Sequence, residues 1–118
     1  MRVLIVDDDA GVAGLLRTIL VRGGHEVSVA ADGAAGRSRL ALPPPPDLLI
    51  LDRMLPDMDG ADLLAQVRAD PRTARLPVLV ISADRTPVDA YGGGATRVLA
   101  KPFDLADLRA ALSALRTP

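Results

Sequence analysis

The chain is 118 residues long, carries no cysteine and has a formal net charge of −1. That length gives a single domain over residues 1–118, able to bury about two-thirds of its unfolded surface, and the absence of cysteine removes disulfide frameworks and thiolate chemistry, which fits a cytoplasmic protein. The balanced charge speaks against a direct nucleic-acid surface, and no apolar run approaches the ~20 residues that a membrane span needs.

Two usage biases sharpen the picture. With one Tyr, one Phe and no Trp, the core must be built from Leu, Val, Ile and Ala. Thirteen of the fourteen basic residues are Arg, which leaves Lys101 as the one lysine. A compact ammonium on a flexible stem and a planar guanidinium fork are not interchangeable at a tight site, so Lys101 draws notice.

Residues 2–6, RVLIV, are predicted as the first strand, and Asp7, Asp8 and Asp9 follow it. Asp9 suits a helix cap. One helix end does not need three adjacent carboxylates, whereas a hard divalent cation would neutralise them, and Mg²⁺ prefers one or two carboxylates plus waters and phosphate oxygens. Val12, Leu15, Leu16, Ile19 and Leu20 recur at helical spacing and are predicted as core, with Gly23-Gly24 ending that helix. His25 is the sole histidine and is read as a solvated loop residue, since no His or Cys companion makes it a ligand. Residues 26–30 alternate as a second, more peripheral strand. Asp32 starts an Ala-rich helix that closes near Leu42, and Pro43 to Pro46 form a stiff connector.

Residues 47–60 read DLLILDRMLPDMDG. Leu48 to Leu51 lack polar alternation, as the central strand of a parallel sheet does. Asp52 follows directly, at the carboxyl end of that strand, where open α/β sheets place ligands. Asp59 and Gly60 open a helix carrying Leu63, Leu64 and Val67, which stops at Asp70-Pro71. Residues 76–81, LPVLVI, are the fourth strand, ending in Ser82, Ala83 and Asp84. The segment RTPVDAYGGGAT is a poor, glycine-rich fourth helix. Residues 97–100 form a short fifth strand before Lys101-Pro102-Phe103, and Leu105, Leu108, Leu112 and Leu115 line one face of the closing helix. Five strands alternating with five helical segments imply a parallel sheet with right-handed crossovers and helices on both faces.

In such a sheet the strand ends meet at one edge. They supply Asp7 and Asp8, Asp52, Ser82 and Lys101, a set suited to a metal ion and a small trianion. Carboxylates hold the cation, a hydroxyl and an ammonium meet phosphoryl oxygens, and one carboxylate can act as the nucleophile.

The stretches VLIVDDD (3–9), DLLILDRMLPDMDG (47–60), LPVLVISA (76–83) and AKPF (100–103) resemble the receiver domain of bacterial two-component response regulators along essentially the whole chain. The resemblance implies a flavodoxin-like (βα)5 fold with strand order 2-1-3-4-5. It implies that Asp52 accepts a phosphoryl group from the phosphohistidine of a sensor histidine kinase or phosphotransfer protein. Mg²⁺ would be bound by Asp8, Asp52 and the Met54 backbone carbonyl, with Asp7 helping through water. Ser82, Ala83 and Lys101 would hold the phosphoryl oxygens, and the Lys101–Pro102 bond would be cis. Met54 and Asp84 match the two variable positions that flank the attacking water, and an intermediate phosphoryl lifetime is expected from an apolar and an acidic residue there. The implied product is a phosphoprotein signalling domain rather than a turnover enzyme. It would act on a downstream protein target, with a homodimer among the implied assemblies.

Two departures bear on output. Receivers usually carry Tyr or Phe three residues before the lysine, and here that position is Val98, so an aromatic flip does not carry the signal. The fourth helical segment is also short and glycine-rich, so activation is expected to order it. The residues leave open a stand-alone receiver or a part of a longer regulator. Two further readings remain. A receiver-like module could bind partners without phosphorylation, against which the retained acids and Lys101 speak. Asp7-x-Asp9 faintly resembles dehalogenase-type phosphohydrolases, but that reading leaves Asp52 without a role, lacks the threonine or valine after the second Asp and offers no cap domain.

Overall fold

The structure, a computed structural model, describes residues 1–83 and 95–116. Five parallel strands, β1 (Arg2–Val6), β2 (Glu26–Ala30), β3 (Leu48–Asp52), β4 (Val78–Ser82) and β5 (Arg97–Ala100), form one sheet in the order β2-β1-β3-β4-β5. The helices described are α1 (Ala10–Arg22), α2 (Gly33–Ala41), α3 (Gly60–Ala69) and α4 (Leu105–Arg116). This is the flavodoxin-like arrangement. The expected ordering of a loose fourth helical segment, and the role given to Asp84, fall on residues 84–94, outside the described residues.

Strand alternation divides the core into two layers. Val6, Leu49, Leu51, Val78 and Val80 pack with Leu40 of α2 and Leu63, Leu64 and Val67 of α3. Val3, Ile5, Leu48, Ile50, Leu79, Ile81 and Leu99 pack with Leu16 and Leu20 of α1 and Leu108 and Leu112 of α4. Every residue of β3 and β4 is buried, as aliphatic runs covered on both faces require. Burying one such side chain contributes roughly 1.5–3 kcal/mol.

Much of the aspartate in the chain goes to helix starts. Asp9 Oδ1 accepts from the Gly11 and Val12 amides at 2.9 and 3.2 Å, Asp32 from Ala35 at 2.7 Å and Asp59 from Ala61 at 2.8 Å. Asp104 and Asp107 cap each other's backbone amides at α4. Each carboxylate satisfies a donor that the helix itself leaves orphaned. α1 ends with the Gly23 amide on Ile19 and Leu20 carbonyls, and Gly24 follows at φ +89°, a conformation that favours glycine.

Four expectations need correction. Leu15 is 55% exposed, while Ala13 takes the buried position in α1. Leu16, Leu20 and Ala13 lie within one narrow arc, and 100° per residue carries Leu15 well outside it. Leu105 is likewise exposed, at the first turn of α4. β4 begins at Val78 rather than residue 76, because Leu76 closes a turn on the Thr73 carbonyl and Pro77 has no amide to donate. His25 is half-buried rather than solvated, with Nδ1 3.1 Å from the N-terminal amine.

Candidate functional site

The two-residue period of the strands sorts the strand ends. Val3 and Ile5 face α1 and α4, and Asp7 continues their parity. Leu48 and Ile50 lead in the same way to Asp52, and Leu99 leads to Lys101. Two carboxylates and one ammonium therefore emerge at one edge and on one face. Backbone bonds fix each of them beyond its own strand. The Asp7 amide donates to the Ala30 carbonyl at 3.0 Å, that of Arg53 to Ile81 at 3.0 Å and that of Lys101 to Ser82 at 2.8 Å.

Lys101 Nζ lies 3.2 Å from Asp52 Oδ2 and 3.9 Å from Asp7 Oδ2. Asp7 and Asp52 are only 2% and 4% exposed, whereas Asp8 is open to solvent. Carboxylate oxygens of Asp7, Asp8 and Asp52 lie within 4.8 Å of one another. Asp52 Oδ1 accepts from the Met54 amide at 3.1 Å, and Asp7 Oδ1 from the Asp9 amide at 2.9 Å. Asp7 Oδ2 is buried with no hydrogen-bond partner. Three carboxylates against one ammonium leave local negative charge, and an orphaned buried oxygen is what a hard cation would satisfy. The donor set is all oxygen, which suits Mg²⁺. Burial is the main force on the Asp7 carboxyl, opposed by the Asp9 amide and reinforced by the Asp52 charge, and it is pushed up to about 6.

The α3 start is built against the Asp52 backbone. A Cβ on Gly60 would strike the Asp52 carbonyl oxygen and come within 2.8 Å of Arg53 Cα, and the Gly60 amide donates to the Arg53 carbonyl at 2.6 Å. Ser82 is buried at the same edge, but it continues the parity of Val78 and Val80 on the opposite face. Ala83 is exposed, and the Met54 side chain is 69% exposed. Val98 is half-buried against the α2–α3 layer. The Lys101–Pro102 peptide is cis, as is Pro43–Pro44. Sequence reading assigned nothing to Asp57, which accepts from the Gly33 and Ala34 amides of α2 at 2.8 and 2.9 Å. Its partners are main-chain groups, so no side-chain pattern signals them.

The family model described as response regulator receiver domain matches residues 3–113. The chain belongs to that family. This receiver domain is 38% identical over 117 residues to the DNA-binding dual master transcriptional regulator RpaA of Synechocystis sp., covering 97% of this chain and 48% of that protein. It is 41% identical over 117 residues to the transcriptional regulatory protein PrrA of Mycobacterium leprae, covering 97% of this chain and 49% of that one. The chain thus spans about half the length of these curated relatives. Among solved structures, chemotaxis protein CheY4 of Vibrio cholerae is 29% identical with a TM-score of 0.87, over 97% of each chain. The receiver domain of Francisella response regulator 1452 is 27% identical with a TM-score of 0.83, over 98% of this chain and 96% of that one. Receiver domains are signalling domains of two-component systems. No helix among the described residues is long and apolar enough to cross a membrane.

Proposed function

We propose that this receiver domain accepts a phosphoryl group on Asp52 from the phosphohistidine of a sensor histidine kinase or phosphotransfer protein, in a Mg²⁺-dependent reaction that changes its affinity for a downstream protein. The observation that carries this reading is the buried Asp52 carboxylate, 3.2 Å from Lys101 Nζ and grouped with Asp7 and Asp8. In the reaction a carboxylate oxygen of Asp52 bonds to phosphorus as the P–N bond of the donor breaks. The imidazole leaves with the electron pair of that bond and is neutral because its other ring nitrogen keeps its proton. Phosphoryl transfer depends on positioning and charge neutralisation more than on a strong base.

Asp8, Asp52 and the Met54 carbonyl are the proposed Mg²⁺ ligands, with Asp7 acting through water. Bound there, Mg²⁺ supplies charge neutralisation at the phosphoryl oxygens. Lys101 neutralises a further oxygen, and Ser82 and Ala83 complete the oxygen contacts once the phosphoryl group is present. Hydrolysis by water then resets the domain, with Met54 and Asp84 tuning its rate. The switching is proposed to act in the cytoplasm through protein partners, with a second copy of the chain as one candidate.

Incubation with acetyl phosphate and MgCl₂, read by intact mass, tests the proposal. Wild type should gain one phosphoryl group, and Asp52→Asn or chelation of the metal should abolish the gain. An equal gain in Asp52→Asn would overturn it.

A further inference from the structure

α2 is a weak helix. It has nine residues, two of them glycine, and its own cap Asp32 reaches only the Ala35 amide among the first three, at 2.7 Å. The Gly33 and Ala34 amides are bonded instead by Asp57, a residue 23 or 24 positions away in the loop after Asp52. Those two amides hold the Asp57 carboxyl below its usual range. Met58, next in sequence, fills the space that a side chain on Gly33 would occupy.

The same loop carries the acceptor. An isolated antiparallel bridge between Met54 and Asp59 closes its base, and Asp59 caps α3. Between the bridge and Asp57 lie Leu55 and Pro56. Pro56 has a fixed φ and restricts Leu55, so residues 54–57 form a stiff arm whose far end is anchored on α2.

We infer that Asp57 is a positioning residue for the metal site: by tying the acceptor loop to the α2 N-terminus it holds the Met54 main chain in register with Asp52 and the neighbouring acids. This inference rests on the proposed role of Asp8, Asp52 and the Met54 carbonyl as Mg²⁺ ligands. Groups that orient metal ligands commonly change affinity by about 10–100-fold when removed, and a stiff arm transmits the loss of its anchor.

The test is the Mg²⁺ dissociation constant, measured by calorimetry with MgCl₂ on the full chain at a temperature where circular dichroism shows each variant folded. Asp57→Ala should weaken Mg²⁺ about tenfold. Asp57→Asn, which keeps one acceptor, should fall between Asp57→Ala and wild type, and it carries the test alone if Asp57→Ala does not fold. Asp32→Ala removes the other α2 cap bond, so it should lower thermal stability yet bind Mg²⁺ as wild type does. Wild-type affinity in the Asp57 variants would overturn the inference, as would equal weakening in Asp32→Ala. A wild-type chain that binds no Mg²⁺ would defeat the metal reading itself.

Discussion

Asp7 occupies the least comfortable position among the described residues. Its carboxyl is buried, lies beside Asp52, and leaves one oxygen without a hydrogen bond. Because its folded pKa is raised, from 3.8 to about 6, the folded chain binds the proton more tightly than the unfolded chain does. Ionisation of Asp7 therefore opposes folding. The penalty is absent below pH 3.8, grows as pH rises towards about 6, and is complete above it. In metal-free buffer, Asp7→Asn should melt higher than wild type at pH 7 and close to it at pH 4, and thermal melts across that range check both. Lys101→Ala should act the other way. With the ammonium gone, Asp52 stays buried without its partner, and stability should drop by about 1–3 kcal/mol in urea titrations, less than for a sealed ion pair because the lysine side chain is 24% exposed. At this scale the acids and Lys101 were legible because several strands end in chemically apt residues. The contacts of Asp57 and of His25 were not, since both depend on main-chain or terminal groups from distant parts of the chain.

Among the elements, glycine separates two situations that look alike in sequence. Gly60 opens α3 where any Cβ would meet the Asp52 carbonyl and the Arg53 backbone. Backbone cannot step aside as a flexible side chain can, so Gly60→Ala should cost about 1–3 kcal/mol. Gly14 sits in mid-α1 with open space where its Cβ would be. Gly14→Ala should instead stabilise by about 0.5–1 kcal/mol through helix propensity. Melting both variants checks the opposite signs. Helix starts were readable from Asp9, Asp32 and Asp59, whose carboxylates bond the next helix's amides in each case. The width of the apolar stripe on α1 was not, because five aliphatics within nine residues cover more arc than the sheet buries.

For the whole molecule, alternating apolar runs and caps were enough to give a parallel α/β sheet, and strand parity then brings Asp7, Asp52 and Lys101 to one face. The order β2-β1-β3-β4-β5 was not dictated by those runs, since equally apolar strands can be arranged in several ways. It came with the likeness of four motifs to receiver domains. The central functional claim is that acids from separate strand ends gather so that Asp52, and not Asp7 or Asp9, carries the phosphoryl group. Borohydride trapping after reaction with acetyl phosphate and MgCl₂, followed by peptide mapping, reads this directly, because reduction of an acyl phosphate leaves a stable alcohol at the modified residue. The account predicts that mark at residue 52 alone; a mark at residue 7 or 9 would contradict it.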